Sequence, residues 1–315
     1  MNDTVVVLTI AGAIGAGTPL ALAALGEILT ERAGVMNLGI EGMMLIGGVF
    51  GIVGATATGN PWVGVVLGGI AAAGMALIHA LLAVGLRVSQ IVSGLALVIV
   101  GTGLSSYLGK IPEPPLTDRP AVVNFHGFFP DALADLPVVG PIVFGHDPVV
   151  YLAVALALLV SLYLFRTRTG LALRAVGEDP ATADANGIRV SLVRYVHTAL
   201  GGVLAGLGGA YLTIELTGIW QNGITAGYGW IAFALVPFSG WRPWRALVAA
   251  YVFGALTNLS FTLQIVGVRV PSQLLAVLPF LLTIVVLITI SLRQGSARNL
   301  AAPAALAVPY DRERR

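Results

Sequence analysis

Long apolar runs, separated by short polar punctuation, dominate this chain. Stretches free of Asp, Glu, Lys and Arg cover 4–26, 42–86, 88–109, 148–165, 216–241, 246–268 and 270–292. A further run, 195–214, carries His197 in otherwise uncharged sequence. Several reach the roughly 20 residues that a helix needs to cross about 30 Å of hydrocarbon. The run 42–86 breaks at Gly59-Asn60-Pro61 and counts as two spans. The pattern predicts an all-α, polytopic membrane bundle of about nine transmembrane helices, with eight to ten as the range.

Composition agrees. Of 315 residues, 57% are hydrophobic and 10% charged, with a mean hydropathy of +0.91; soluble proteins carry about 25% charged residues. Only Asn2 and Asp3 precede the first run, which lacks the basic start and small-residue cleavage site of a signal peptide. It is expected to be a retained span. The chain has no cysteine, which removes disulfides and thiolate metal sites.

The formal charge of +2 reflects topology rather than nucleic-acid binding. With the N-terminus outside and spans alternating, 14 of the 17 basic residues fall in cytoplasmic segments near 27–36, 85–90, 166–194, 241–245 and 293–315, leaving Lys110, Arg119 and Arg269 outside. That split follows the positive-inside rule, and the inverted arrangement violates it. Residues 1–315 thus read as one transmembrane domain with a cytoplasmic C-terminus. The 110–147 segment, rich in proline, is expected to be an ordered external loop or short helices. The 166–194 segment is the longest internal loop, and the 293–315 tail is expected to be frayed and close to the membrane.

The most unusual stretch is "GEILTERAGVMNLGIEGMMLIGG", residues 26–48. Glu27, Glu31, Arg32 and Glu41 lie between two apolar runs, where carboxylates are costly unless they meet protein, water or the interface. With glycines at 26, 34, 39 and 42, it reads as a broken or re-entrant element whose free backbone groups are buried in protein. A proton or ion site is the sharper alternative.

Gly202, Gly206 and Gly209 have the small-residue spacing that lets helices approach closely. In "LALRAVGEDPATADANGIRVSLVRY", Gly177 is expected to end one helical turn. Asp179-Pro180 caps a short helix through Ala185, and Asn186-Gly187 ends it. Catalytic patterns are missing. Lys110 is the sole lysine and Leu104 stands where a Walker A motif needs glycine. His79, His126, His146 and His197 lack metal-ligand spacing, and Ser93-Gly94 with His197 lacks a local protease signature.

"LTERAGVMNLGIEGMMLIGG" closely resembles the signature of bacterial ABC importer permeases of the branched-chain amino acid and simple sugar class, in the subgroup associated with nucleoside uptake. "LRAVGEDPATADANGI" resembles that family's coupling segment, and "GYGWIAFALVPFSGWRPWRALVAAYVFGAL" resembles its late block. The resemblance covers most of the chain. It implies a non-enzymatic permease in the bacterial inner membrane, paired with a homologous second permease. Two cytoplasmic ATPases would hold ATP and Mg, so this chain needs no cofactor, and an external lipoprotein or periplasmic protein would deliver substrate. By that analogy Arg174, Glu178, Asp179, Pro180 and Gly187 belong to the loop that couples to the ATPase.

Read from the residues alone, a path for neutral polar substrates needs polar groups inside apolar spans. Asn37, Gln90, Ser93, Thr102, Asn222, Asn258 and Gln264 are candidates, with Trp220, Trp230 and Phe233 able to stack on a base. Phe125, Phe128 and Phe129 are candidate receptor anchors in the external loop. Nucleoside is the expected substrate class, then simple sugar, then branched-chain amino acid. A proton-coupled secondary transporter using Glu27, Glu31 or Glu41 and a membrane enzyme are the other classes.

Overall fold

The computed structural model describes residues 3–112, 114–118, 124–265 and 302–312, with scattered helical positions between 277 and 288. Eleven α-helices occur among them and no strand. They are α1 (Asp3–Arg32), α2 (Ile40–Thr58), α3 (Pro61–Ala80), α4 (Gln90–Leu108), α5 (Asp131–Ala134) and α6 (Pro148–Arg166). After these come α7 (Arg168–Glu178), α8 (Pro180–Ala185), α9 (Val190–Tyr211), α10 (Tyr228–Ser239) and α11 (Pro243–Ile265). Wide π turns extend α3 through Leu81–Gly85 and α9 through Leu212–Leu216.

The punctuation acts through capping. Asn60 accepts from the Trp62 amide with Pro61 behind it, and Asp147 accepts from the Val149 and Val150 amides with Pro148 behind it. Each supplies an acceptor for the orphan N–H groups of a helix start. Six described helices are long and apolar enough to cross a membrane: Val6–Arg32, Ile40–Thr58, Pro61–Gly85, Gln90–Leu108, Pro148–Arg166 and Val190–Leu216. The expected span 216–241 is a correction. Only α10 forms there, because Gly218, Gly223, Ala226 and Gly227 all take positive φ and unwind the run before it. Most of the predicted 270–292 span, and Arg119, Arg269, Arg293 and Arg298, lie outside the described residues.

α9 is the hub. It packs against α1, α2 and α3 at once, and its small residues divide among them. A Cβ on Gly209 would stand 2.0 Å from the Met44 carbonyl of α2, and one on Gly206 would stand 2.4 Å from the Gly68 carbonyl of α3. Backbones at this separation gain dispersion contact that lipid-facing side chains cannot supply. The 110–147 segment holds a short turn at Leu116–Asp118, α5 and a π turn at Gly140–Phe144, and no spanning helix among its described residues.

Candidate functional site

α1 ends at Arg32 and α2 starts at Ile40, so residues 33–39 are non-helical, yet Ala33, Val35 and Asn37 are buried. An unpaired backbone group in such a place costs roughly 2–7 kcal/mol. Side chains from four helices supply partners. Glu27, 1% exposed, accepts from the Asn37 amide at 3.0 Å. Gln90 of α4 accepts from the Met36 amide at 2.7 Å, and His79 Nε2 of α3 meets the Met36 carbonyl at 3.0 Å. His79 Nδ1 reaches Ser93 at 3.0 Å. Arg194 of α9 donates from Nε to the Ala33 carbonyl at 3.1 Å. The link doubles back: the bond to Glu27 sets Asn37 level with a point about 7 Å up α1 from its end, at 1.5 Å per residue.

The other charges of the stretch hold α10. Glu41 Oε1 accepts from Thr225 Oγ1 at 2.6 Å and the Gly227 amide at 3.0 Å, and Oε2 accepts from the Gly229 amide at 2.7 Å. At the opposite end, Arg32 Nη2 donates to the carbonyls of Gly240 (3.5 Å) and Trp241 (3.4 Å), and Glu31 accepts from the Trp241 indole N–H. A carboxylate thus sits at the positive end of α10 and a guanidinium at its negative end, the arrangement that the helix dipole favours. Glu31 is 2% exposed and Glu41 7%. The helix is broken at 33–39 with backbone groups of the break met by buried side chains, and Glu31, Arg32 and Glu41 tie its flanks to α10.

α8 stands where the sequence places it. Asp179 caps it, accepting from the Ala181 and Thr182 amides and from the Thr182 hydroxyl. The hydroxyl and amides hold the Asp179 carboxyl below its ordinary value of 3.8. Asn186 forms the C-cap, followed by Gly187 at φ 83° with open space around it. Gly177 does not end a turn, since α7 continues to Glu178. It is glycine because a Cβ there would lie 2.3 Å from the Arg32 carbonyl. Between α7 and α8 a cleft of about 450 Å³ is lined by Arg168, Leu171, Glu178, Asp179, Thr182 and Asn186, among others. Arg174 lies over the Phe165 ring at 5.3 Å.

The tail differs from expectation. Residues 302–312 lie against the α1–α2 link and α7: the Ala305 amide donates to the Gly177 carbonyl at 2.9 Å and the Ala307 amide to the Gly34 carbonyl at 3.2 Å. The Gly177 carbonyl lies in the last turn of α7 and the Gly34 carbonyl in the break after α1, where intrahelical donors run out, and a turn at 304–307 supplies both donors.

The polar path candidates separate. Asn37, Gln90 and Ser93 gather around the link, where His79 and Arg194 join them. Thr102 is exposed and bonds back to the Val98 carbonyl, and Asn222 is exposed in the turn before α10. Asn258 donates to the Thr9 carbonyl at 3.3 Å. Trp220 is buried against Gly109, whereas Trp230 and Phe233 are half-buried on α10. Gln264 lies outside the described side chains. Among the aromatic anchors, Phe125 is 9% exposed, packed edge-on to Trp62 with centroids 4.9 Å apart. Its amide donates to Glu215 at 2.9 Å. This corrects its reading as a free anchor. Phe128 is 58% exposed and leans on Phe129 and Tyr151. Nearby, burial lowers the His146 pKa, offset in part by its bond to the Ile142 carbonyl. His79, Arg194 and Glu215 escape pattern reading as ties, although polar groups within apolar runs are signals in their own right.

A family model described as branched-chain amino acid transport system / permease component matches residues 9–287. A putative glucose ABC transporter permease of Haloferax volcanii is 39% identical, over 95% of this chain and 96% of its own. A nucleoside ABC transporter permease of Lactococcus lactis is 34% identical, over 86% of this chain and 88% of its own. A guanosine ABC transporter permease of Bacillus subtilis is also 34% identical, over 94% of each chain. No solved structure matches. With a family match across most of its length and relatives aligned nearly end to end, the chain belongs to the branched-chain amino acid transport permease family and is a membrane permease subunit of the ABC type.

Proposed function

We propose that this permease imports nucleosides, using ATP hydrolysed by separate cytoplasmic ATPases that seat α8. The carrying observation is α8 itself: a capped helix held out between two long helices, α6 with α7 on one side and α9 on the other. A rigid knob between two membrane elements moves both when a partner grips it. Arg174, Glu178, Asp179, Pro180 and Gly187 form or flank that knob. ATP and Mg belong to the ATPase, a homologous permease completes the pore, and an external binding protein delivers substrate to the 110–147 face around Phe128. In this reading the N-terminus is outside, the C-terminus is cytoplasmic, and the membrane is the bacterial inner membrane.

The nucleoside and guanosine permeases among the relatives support the substrate class. The putative glucose permease supports simple sugar as the second reading. Both are neutral polar molecules with a sugar ring, which suits a path with half-buried Trp230 and Phe233 and neutral amides. Proton coupling through Glu27, Glu31 or Glu41 is disfavoured because each carboxylate already accepts from a backbone or indole donor that would lose its partner if the side chain moved.

The test is reconstitution with the partner permease, ATPases and binding protein in liposomes, with labelled nucleoside and glucose compared. Uptake is expected to require ATP and binding protein, to survive a protonophore, and to favour nucleoside. Uptake without ATP that a protonophore collapses would overturn the assignment, and glucose preference would replace the substrate.

A further inference from the structure

Residues 302–312 touch three separate parts of the helix end that carries α8. Toward α7 and α8, the Ala304 amide donates to Glu178 Oε2 at 3.3 Å and the Ala305 amide to the Gly177 carbonyl at 2.9 Å. The Tyr310 hydroxyl donates to Asp184 Oδ2 at 3.1 Å, and Arg312 Nε pairs with the same oxygen at 3.0 Å. Toward the buried link, the Ala307 amide donates to the Gly34 carbonyl. Toward the α3–α4 turn, Arg87 pairs with Asp311 at 2.8 Å. Val176, Ala183 and Val190 form a small core with Tyr310 packed against it, so the segment shares apolar contacts with α7, α8 and α9 together.

Arg194 closes the connection. Its buried guanidinium donates from Nε to the Ala33 carbonyl and from Nη1 to the Val308 carbonyl at 3.2 Å. One planar group therefore fastens the link to the segment from a position inside α9. Planarity matters, because two donors in one rigid fork keep two carbonyls at a set separation. α7 also passes the link directly, where Gly177 lies against the Arg32 carbonyl and the Gly34 amide, but the contacts that begin on α8 itself, at Asp184, run through the segment.

We propose that residues 302–312 are a strap that carries displacement of α8 to the buried link at 33–39, with Arg194, Tyr310 and Arg312 as its positioning residues. The proposal rests on the reading of α8 as the ATPase seat. Movement of α8 pulls Tyr310 and Arg312 through Asp184, and the strap hands that movement to Gly34 and Ala33, past the last helical residue of α1, where only the terminal-turn bonds of the Ala33, Gly34 and Val35 amides to Thr30 and Glu31 have to yield. The same link carries Asn37, and its flanking residues Arg32 and Glu41 hold the two ends of α10, so the strap connects the seat to the elements nearest the proposed path without passing through the length of α9.

The absence of native cysteine permits a test within one folded molecule. Asp184→Cys with Tyr310→Cys removes both native contacts to Asp184, and a reductant-cleavable bifunctional thiosulfonate then bridges the pair. In the full reconstituted complex, nucleoside taken up per ATP hydrolysed is expected to stay within about twofold of wild type when bridged, and to fall at least about fivefold on cleavage with the ATPase still bound, the range of ordinary coupling energies. Tyr310→Phe with Arg312→Ala leaves Asp184 in place and is expected to lower the ratio by a similar factor. A ratio unchanged by cleavage and by the second variant overturns the strap while α8 keeps its role. Gly187→Val, measured in parallel, separates the two readings: normal coupling in that variant overturns the α8 seat and the strap with it.

Discussion

Glu41 shows how a single membrane carboxylate is stabilised. It accepts from Thr225, Gly227 and Gly229 together, which replaces the water it gave up and supplies the orphan donors at the start of α10. Glu41→Ala leaves three buried donors without an acceptor, at an expected cost of about 3 kcal/mol or more. Glu41→Gln keeps one good acceptor and turns its NH2 group toward a donor, so an intermediate loss is expected. Thermal unfolding of the purified permease in detergent checks both. An alanine variant that melts with wild type would mean that α10 needs no cap. Gly187 contrasts with Gly177 at this scale. The first was readable because Asn-Gly after a short helix signals a left-handed residue. The second was misread because its reason, the Arg32 carbonyl 2.3 Å from a would-be Cβ, is a contact between residues distant in sequence.

Helix α8 is too short to persist alone, so its shape depends on its ends. Asp179→Ala removes the acceptor for two amides and a hydroxyl, and Gly187→Val forces a β-branched residue to φ 83°. Both are expected to reduce ATPase co-purification severalfold while membrane insertion stays normal; retention at wild-type levels in both would remove α8 as the seat. The cap also has a pH signature. The Asp179 carboxyl is depressed below 3.8, so its contribution is fully present above that value and is lost only as pH falls through the lower folded value. ATPase association is therefore expected to be flat from pH 8 to about 5 with respect to this group. A loss centred near pH 6.5 would point to histidine instead.

At the scale of the whole molecule, α6 separates the 110–147 segment from α7 and α8, so the two belong to opposite ends of one long apolar helix. The arginine distribution makes the α8 end the proposed cytoplasmic side. Single cysteines test this cleanly in a chain that has none. Asp131→Cys, on exposed α5, is expected to react with an impermeant maleimide in intact cells, and Ala181→Cys, on exposed α8, only after permeabilisation. The reverse labelling pattern would invert the topology and with it the direction of coupling.

Chain composition and pattern by themselves determined the all-helical membrane character, the start of most long helices, a break within residues 26–48, and the capped helix at 180–185. These depend on length, local capping chemistry and the cost of placing charge in lipid, all of which act between near neighbours. Tertiary structure alone decided what the charges do. That Glu41 and Arg32 grip opposite ends of α10, that Gln90 and His79 hold Met36, and that the tail binds Gly34, Gly177 and Asp184 are pairings across tens to hundreds of residues. Apolar periodicity carries no record of them. A buried polar group must find a partner, and which partner it finds is settled only when the helices pack.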